Sequence, residues 1–173
     1  MYLYGLERTM PKLILFRHGK SDWTGDENDA LRPLAPRGVR AAQQMGEFLS
    51  RTEQVPDAII TSPAERAFQT VRLAMDSGKW SCSVREADAL YGGSASDLIA
   101  ELRREGPSVR LLLAVGHEPT WSESVAELIG GGDVSMPTAA MACIDLGDIG
   151  WPEVAPARGT LLWLLPPRLV ANF

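Results

Sequence analysis

Short apolar runs alternate along this chain with longer stretches in which apolar residues recur at helical spacing. Lys12 to Phe16, Ala58 to Thr61, Ser83 to Glu86 and Val109 to Val115 read as strands, the last being the strongest. Between them the helical period predicts Pro36 to Arg51, carried by Val39, Ala42, Met45, Gly46 and Leu49, with proline in the first turn. Ser62 reads as the N-cap of a second helix that runs through Glu65, Arg66 and Thr70 to Ser77 and an ending glycine, Gly78. Ser94 to Glu105, closed by Gly106-Pro107, and Thr120 to Ile129, followed by Gly130-Gly131-Gly132, complete the helices. Two further apolar runs, Met141 to Leu146 and Thr160 to Leu165, flank a stretch from Gly147 to Arg158 that reads as a surface loop or hairpin connection. Strands alternating with crossover helices predict a three-layer α/β/α sandwich around a mostly parallel central sheet, buried on both faces.

Size and composition narrow the possibilities. A chain of 173 residues suffices for one domain that closes its core without metal or disulfide, here residues 10–173 with residues 1–9 as an N-terminal extension. A net charge of -5 argues against nucleic acid as the partner, since binding a phosphate backbone asks for a basic excess. Cys82 and Cys143 fit neither a disulfide framework nor a Cys/His metal spacing, and read as free thiols of a reducing compartment. The first ten residues lack the basic-then-apolar pattern of a signal peptide, and no run reaches membrane-spanning length, so the default expectation is a cytoplasmic protein with no membrane partner.

Several chemistries find no support in the motifs. There is no GxxxxGK[ST] loop, no GxGxxG turn and no GxSxG elbow, the stretch Gly92-Gly93-Ser94-Ala95-Ser96 lacking the final glycine. Neither cysteine has an arginine six residues downstream, and Asp145-Leu146-Gly147-Asp148 lacks the alternating aspartates of an aspartyl-phosphate nucleophile. With two histidines far apart and no carboxylate cluster beside either, a two-metal phosphatase also lacks its ligands.

Those two histidines, the only ones in the chain, each follow an apolar run beside a glycine: Phe16-Arg17-His18-Gly19 and Val115-Gly116-His117-Glu118-Pro119. In open α/β sheets, ligands bind at the carboxyl ends of such strands. Arg66 follows the second strand on the first turn of a helix. If the three strands are neighbours, two guanidiniums and two imidazoles meet at one sheet edge, and that set suits a dianionic phosphoryl group. An imidazole is nucleophilic near neutrality, so one histidine can attack phosphorus while the other donates to its oxygens. Taken singly, each feature fits a cap, a strand end or a solvated helix face; together they point to a phosphoryl pocket.

The segments Arg17-His18-Gly19-Lys20-Ser21-Asp22-Trp23, Thr61 to Thr70 and Gly116-His117-Glu118-Pro119 resemble the histidine phosphatase (phosphoglycerate mutase-like) superfamily, branch 1, and within it the SixA-type phosphohistidine phosphatases. The resemblance extends to Arg32-Pro33-Leu34 with Gly38, to Met136-Pro137-Thr138-Ala139-Ala140 and to Leu165-Pro166-Pro167-Arg168-Leu169. It implies a phosphoglycerate mutase-like fold and catalysis without metal or cofactor. It further implies that His18 attacks phosphorus and becomes phosphohistidine, that Arg17 and Arg66 hold the equatorial oxygens, and that His117 completes the charge pocket. Ser21 would donate to the phosphate, and Gly19 would let the backbone turn close to the ligand.

Two departures stand out against that pattern. Trp23 is followed by Thr24 where many mutase-like members carry asparagine, and Glu118 stands where the SixA-type branch commonly has asparagine. A carboxylate at 118 would either repel phosphate or turn away towards a basic group. Larger relatives supply a proton-donating glutamate after the third strand; here the candidates are Glu86, Asp88 and Asp22. A phosphoramidate has a good leaving group once its ring is protonated, which favours phosphohistidine on a protein. The alternatives are a small phosphorylated metabolite, hydrolysed by a phosphomonoesterase of the same superfamily, and a non-catalytic phosphate-binding module. Trp23 and Trp121 lie near the motifs and fit either the pocket rim or, as large aromatics near strand ends usually do, packing.

Overall fold

The computed structural model describes residues 10–23 and 28–170. Six strands, β1 (Lys12–Arg17), β2 (Ala58–Thr61), β3 (Ser83–Glu86), β4 (Leu111–Gly116), β5 (Met141–Asp145) and β6 (Thr160–Leu165), form one sheet in the order β3-β2-β4-β1-β5-β6. The pairings of β3 with β2, β2 with β4 and β4 with β1 are parallel, while β5 and β6 join antiparallel. The sheet is therefore mixed, with a parallel half that brings the ends of β1, β2 and β4 side by side. Arg17 pairs with Gly116, and Thr61 with Val115, so His18, Ser62 and His117 leave the sheet at one level.

Helices α1 (Pro36–Arg51) and α2 (Glu65–Gly78) cover one face, together with the short α5 (Pro167–Val170); α3 (Ala95–Leu102) and α4 (Thr120–Ile129) cover the other. Alternation along the central strands divides the core between the faces. Ile14 and Phe16 pack with Met45, Leu49 and Val71, whereas Leu13 and Leu15 pack with Leu98, Trp121 and Val125. Cys143 is buried and Cys82 half-buried, both as free thiols. None of the helices among the described residues is long and apolar enough to cross a membrane.

Several boundaries differ from those expected. Ser62 does not cap α2: the N-cap is Ala64, and the Ser62 hydroxyl accepts from the Ala64 amide while facing His117. At its other end α2 includes Gly78, and Lys79 takes the left-handed position at φ 57°. Gly78 is required instead by packing, since a Cβ there would collide with the Trp80 ring and lie 2.8 Å from the Gly46 carbonyl oxygen. Helix α3 stops at Leu102, and Ser94 with Asp97 makes a reciprocal capping box at its start.

The Gly147 to Arg158 stretch joins β5 to β6, as a hairpin connection would, but it is not merely a surface loop. Trp151 and Val154 are buried in the α3/α4 core, and the Trp151 indole donates to the Val109 carbonyl at 2.7 Å. The supposed N-terminal extension, residues 1–9, and Thr24 lie outside the described residues.

Candidate active site

The chain leaves β1 under tight restraint. The His18 amide donates to the Gly116 carbonyl at 3.0 Å, and the Ala139 amide donates to the His18 carbonyl at 3.1 Å. The next residue, Gly19, donates its amide to Thr70 Oγ1 at 3.0 Å. A Cβ on Gly19 would meet the Gly38 carbonyl oxygen at 2.8 Å, so glycine is needed here for close packing on the start of α1. Gly19 does not line the cavity; the space that a Cβ would need is taken by Gly38.

That backbone orients the first imidazole. His18 Nδ1 lies 2.6 Å from the Gly19 carbonyl oxygen. A carbonyl only accepts, so Nδ1 carries the proton and Nε2 keeps its lone pair. The His117 ring stands 4.9 Å away, centroid to centroid, tilted by 54°. His117 Nε2 lies 2.8 Å from Ser62 Oγ. Ser62 Oγ accepts from the Ala64 amide and keeps its own proton to donate; when it donates to Nε2, the neutral ring carries its hydrogen on Nδ1.

Both rings are held neutral. His18 is pushed down to about 3, by burial above all and then by His117, Arg66 and Arg17, against the opposing Gly19 carbonyl. His117 is pushed down to about 4 by burial and then by Arg66.

Around the imidazoles lies a cavity of about 220 Å³ whose walls include Arg17, Ser21, Arg32, Arg66 and Thr138. Each guanidinium is anchored from outside. Arg17 Nη1 donates to the Met136 carbonyl at 2.7 Å. Arg66 Nη1 donates to the Asp29 carbonyl at 2.6 Å, and its Nη2 to Asp29 Oδ2 at 3.0 Å. Arg32 pairs with the other Asp29 oxygen at 3.0 Å and lies 3.4 Å over the Trp23 ring. Asp29 also accepts from the Tyr91 hydroxyl at 2.8 Å, and this bond, ahead of the arginines, holds its carboxyl below the usual range.

The inner donors are unused. Arg17 Nε, Arg32 Nε, Arg66 Nε and His117 Nδ1 are buried and make no hydrogen bond. Four unpaired donors on residues lining one cavity are costly unless an acceptor enters, and a tetrahedral oxyanion supplies several acceptors at once.

Glu118 lines the same cavity and does not turn away. Its Oε1 accepts from Ser122 Oγ at 2.8 Å, and Ser122 Oγ accepts from the Met136 amide at 3.1 Å. Since the Met136 carbonyl holds Arg17, the carboxylate is tied into the support of that arginine. Burial raises the Glu118 carboxyl pKa, while Ser122 and Arg17 oppose the rise.

The structure therefore brings Arg17, His18, Ser21, Arg66 and His117 together as expected. Glu86 and Asp88 are exposed, and neither they nor Asp22 line the cavity. Trp23 is at the rim, but Trp121 is fully buried in the core, where its ring would lie 2.5 Å from a Cβ on Gly116. Sequence reasoning missed Arg32, Thr138, Asp29 and Tyr91 as site residues. The Asp29-to-Arg32 spacing, one turn apart beside a proline, was the available signal for the first pair. Among the described residues no group of three His, Cys, Asp or Glu side chains is placed to hold a metal ion.

The sequence model of the histidine phosphatase superfamily (branch 1) matches residues 13–130. An uncharacterised protein of Mycobacterium tuberculosis is 35% identical over 163 residues, covering 88% of this chain and 99% of its own. Among solved structures, the protein histidine phosphatase SixA complexed with tungstate superimposes with a TM-score of 0.81 at 25% identity, over 92% of this chain and 99% of that one. A candidate SixA phosphohistidine phosphatase from Nakamurella multipartitia gives 0.79 at 28% identity, over 90% and 96%. With the fold, the motif order and these matches in agreement, the chain belongs to branch 1 of the histidine phosphatase superfamily, is of the SixA type within it, and is a phosphatase.

Proposed function

We propose that this phosphatase works through a covalent phosphohistidine on His18 and acts on phosphohistidine in proteins. The observation that carries the mechanism is the 2.6 Å contact of His18 Nδ1 with the Gly19 carbonyl, which leaves Nε2 as the free nucleophilic nitrogen beside three guanidiniums. Nε2 attacks phosphorus, the bond from phosphorus to the leaving group breaks, and the phosphoryl group stays on His18. Arg17, Arg32 and Arg66 receive its equatorial oxygens, and His117 Nδ1 donates to another. Water then attacks the phosphohistidine, restoring neutral His18 and releasing inorganic phosphate. Because the cationic donors are fixed beforehand by Met136 and Asp29, stabilising the transferring group requires little rearrangement.

The substrate reading rests on leaving-group chemistry and on the SixA-type likeness. An imidazole protonated on its distal nitrogen departs without further help, whereas an alkoxide needs a proton donor. A second reading, hydrolysis of small phosphomonoesters, is favoured by Glu118: it lines the cavity, and burial raises its pKa towards that of a useful acid. Turnover of a phosphohistidine protein should exceed that of alkyl phosphates in kcat/KM by at least about a hundredfold, the lower end of what general acid catalysis contributes. A preference for the alkyl esters, abolished in Glu118→Gln, would sink the phosphohistidine reading.

A further inference from the structure

Next to the phosphoryl cavity lies a second and larger one, of about 370 Å³, between the exit of β1, the first turns of α1 and the C-terminal turn. Lys20 and Thr138 line both cavities, so the two are adjacent. The walls of the second are apolar and stiff, from Pro137, Pro166 and Pro167, and its cations are Lys20, Arg37, Arg40 and Arg168. All four are exposed, and among the described residues none of them forms an ion pair with a carboxylate. No Asp or Glu lines this groove.

The wider charge distribution sharpens the point. The chain carries 22 acidic and 17 basic residues, yet the two cavities are lined by seven different Lys or Arg side chains and one carboxylate, Glu118. An acidic protein meets a chain of net negative charge and, at these two cavities, a concentration of cations that steers and orients its approach.

The two cavities are built for different anions. In the phosphoryl cavity Arg66 is almost wholly buried, and buried donors on four lining residues lack partners. In the groove the cations are exposed and come from three separate segments, an arrangement that fits several carboxylates spread along a polypeptide better than one compact phosphate. Proline walls and arginine stems add apolar contact for a peptide backbone.

From this geometry we infer that the Lys20/Arg37/Arg40/Arg168 groove is a docking site for acidic residues flanking the phosphorylated residue of a protein substrate. The inference rests on the phosphohistidine-protein reading of the neighbouring cavity. On binding, carboxylates of the partner pair with Arg37 and Arg40 while the phosphoryl group enters beside His18. Lys20 stands between them and contacts both anions.

Two fluorescent peptides carrying a non-hydrolysable phosphohistidine analogue, one flanked by glutamates and the other by glutamines, test this in a binding titration. Wild-type protein should bind the glutamate peptide at least about tenfold more tightly at low salt, and the advantage should shrink as salt screens the groove. In the double variant Arg37→Gln/Arg40→Gln the preference should disappear while kcat on a small phosphomonoester stays unchanged, which also reports an intact fold. Equal binding of both peptides to the wild type, or a preference that survives in the variant, overturns the docking site and leaves the phosphohistidine reading in place. Failure of both peptides to bind overturns the two together.

Discussion

Two imidazoles, His18 buried and His117 half-buried, sit beside three guanidiniums, and burial first, then the neighbouring charges, makes a charge on either ring costly. At neutral pH both rings are therefore uncharged, one as nucleophile and one as donor. Histidine-specific NMR titration should find both midpoints well under the ordinary 6.5, near 3 for His18 and near 4 for His117. A midpoint close to 6.5 for either ring contradicts this arrangement. Ser62 acts through His117, fixing which nitrogen bears the proton. Ser62→Ala should lower kcat/KM about fivefold, the equivalent of one net hydrogen bond of about 1 kcal/mol, and should also lower thermal stability, because the buried Ala64 amide loses its acceptor. Ser62→Thr, which keeps the hydroxyl, should recover most of the activity.

The elements hold these residues by close backbone contact. On the strand side, the parallel registers of β1, β2 and β4 set three loop starts at one edge. On the helix side, α1 crosses α2 at Gly46, where an added Cβ would collide with the backbone of Ala74. Gly46→Ala should therefore destabilise the protein by about 1–3 kcal/mol, as overpacking does, despite the better helix propensity of alanine. Urea unfolding checks this, and an increase in stability would refute the tight crossing. How much of this was legible in the sequence follows from the same forces. Helical periodicity marked α1 and α4 because each buries one stripe, and the unbroken apolar run of β4 marked a strand covered on both faces. The Asp29 turn is illegible in the sequence because its three residues bury no side chain and owe their place to Arg66 and Tyr91, both distant in the chain. The same holds for Trp151, whose partners on α3 and α4 lie far from it in the chain. Ser62-Pro63 carried a sound capping signal, but the hydroxyl serves His117 as well as a backbone amide, and only tertiary structure shows that.

For the molecule as a whole, burying an imidazole, here among cations, ties stability to pH. His18 titrates near 6.5 when unfolded and near 3 when folded, so between those values the unfolded chain binds the proton and the native one does not. Stability must then fall as pH drops from about 6.5 towards 3, by up to ~1.4 kcal/mol per pH unit from this group. His18→Gln should flatten the acid limb of a plot of unfolding free energy against pH; a limb of unchanged slope contradicts the burial of a neutral ring. The same ring carries the functional account, because the restraints from Gly116, Ala139 and Gly19 all converge on presenting His18 Nε2 to phosphorus. The most direct measurement is rapid quenching during turnover, followed by mass-spectrometric mapping of the phosphorylated residue under alkaline conditions that preserve phosphohistidine. One acid-labile phosphoryl group on His18, absent from His18→Ala, is the predicted result. Full turnover by His18→Ala, or a phosphoryl group trapped on His117 or elsewhere, would contradict it.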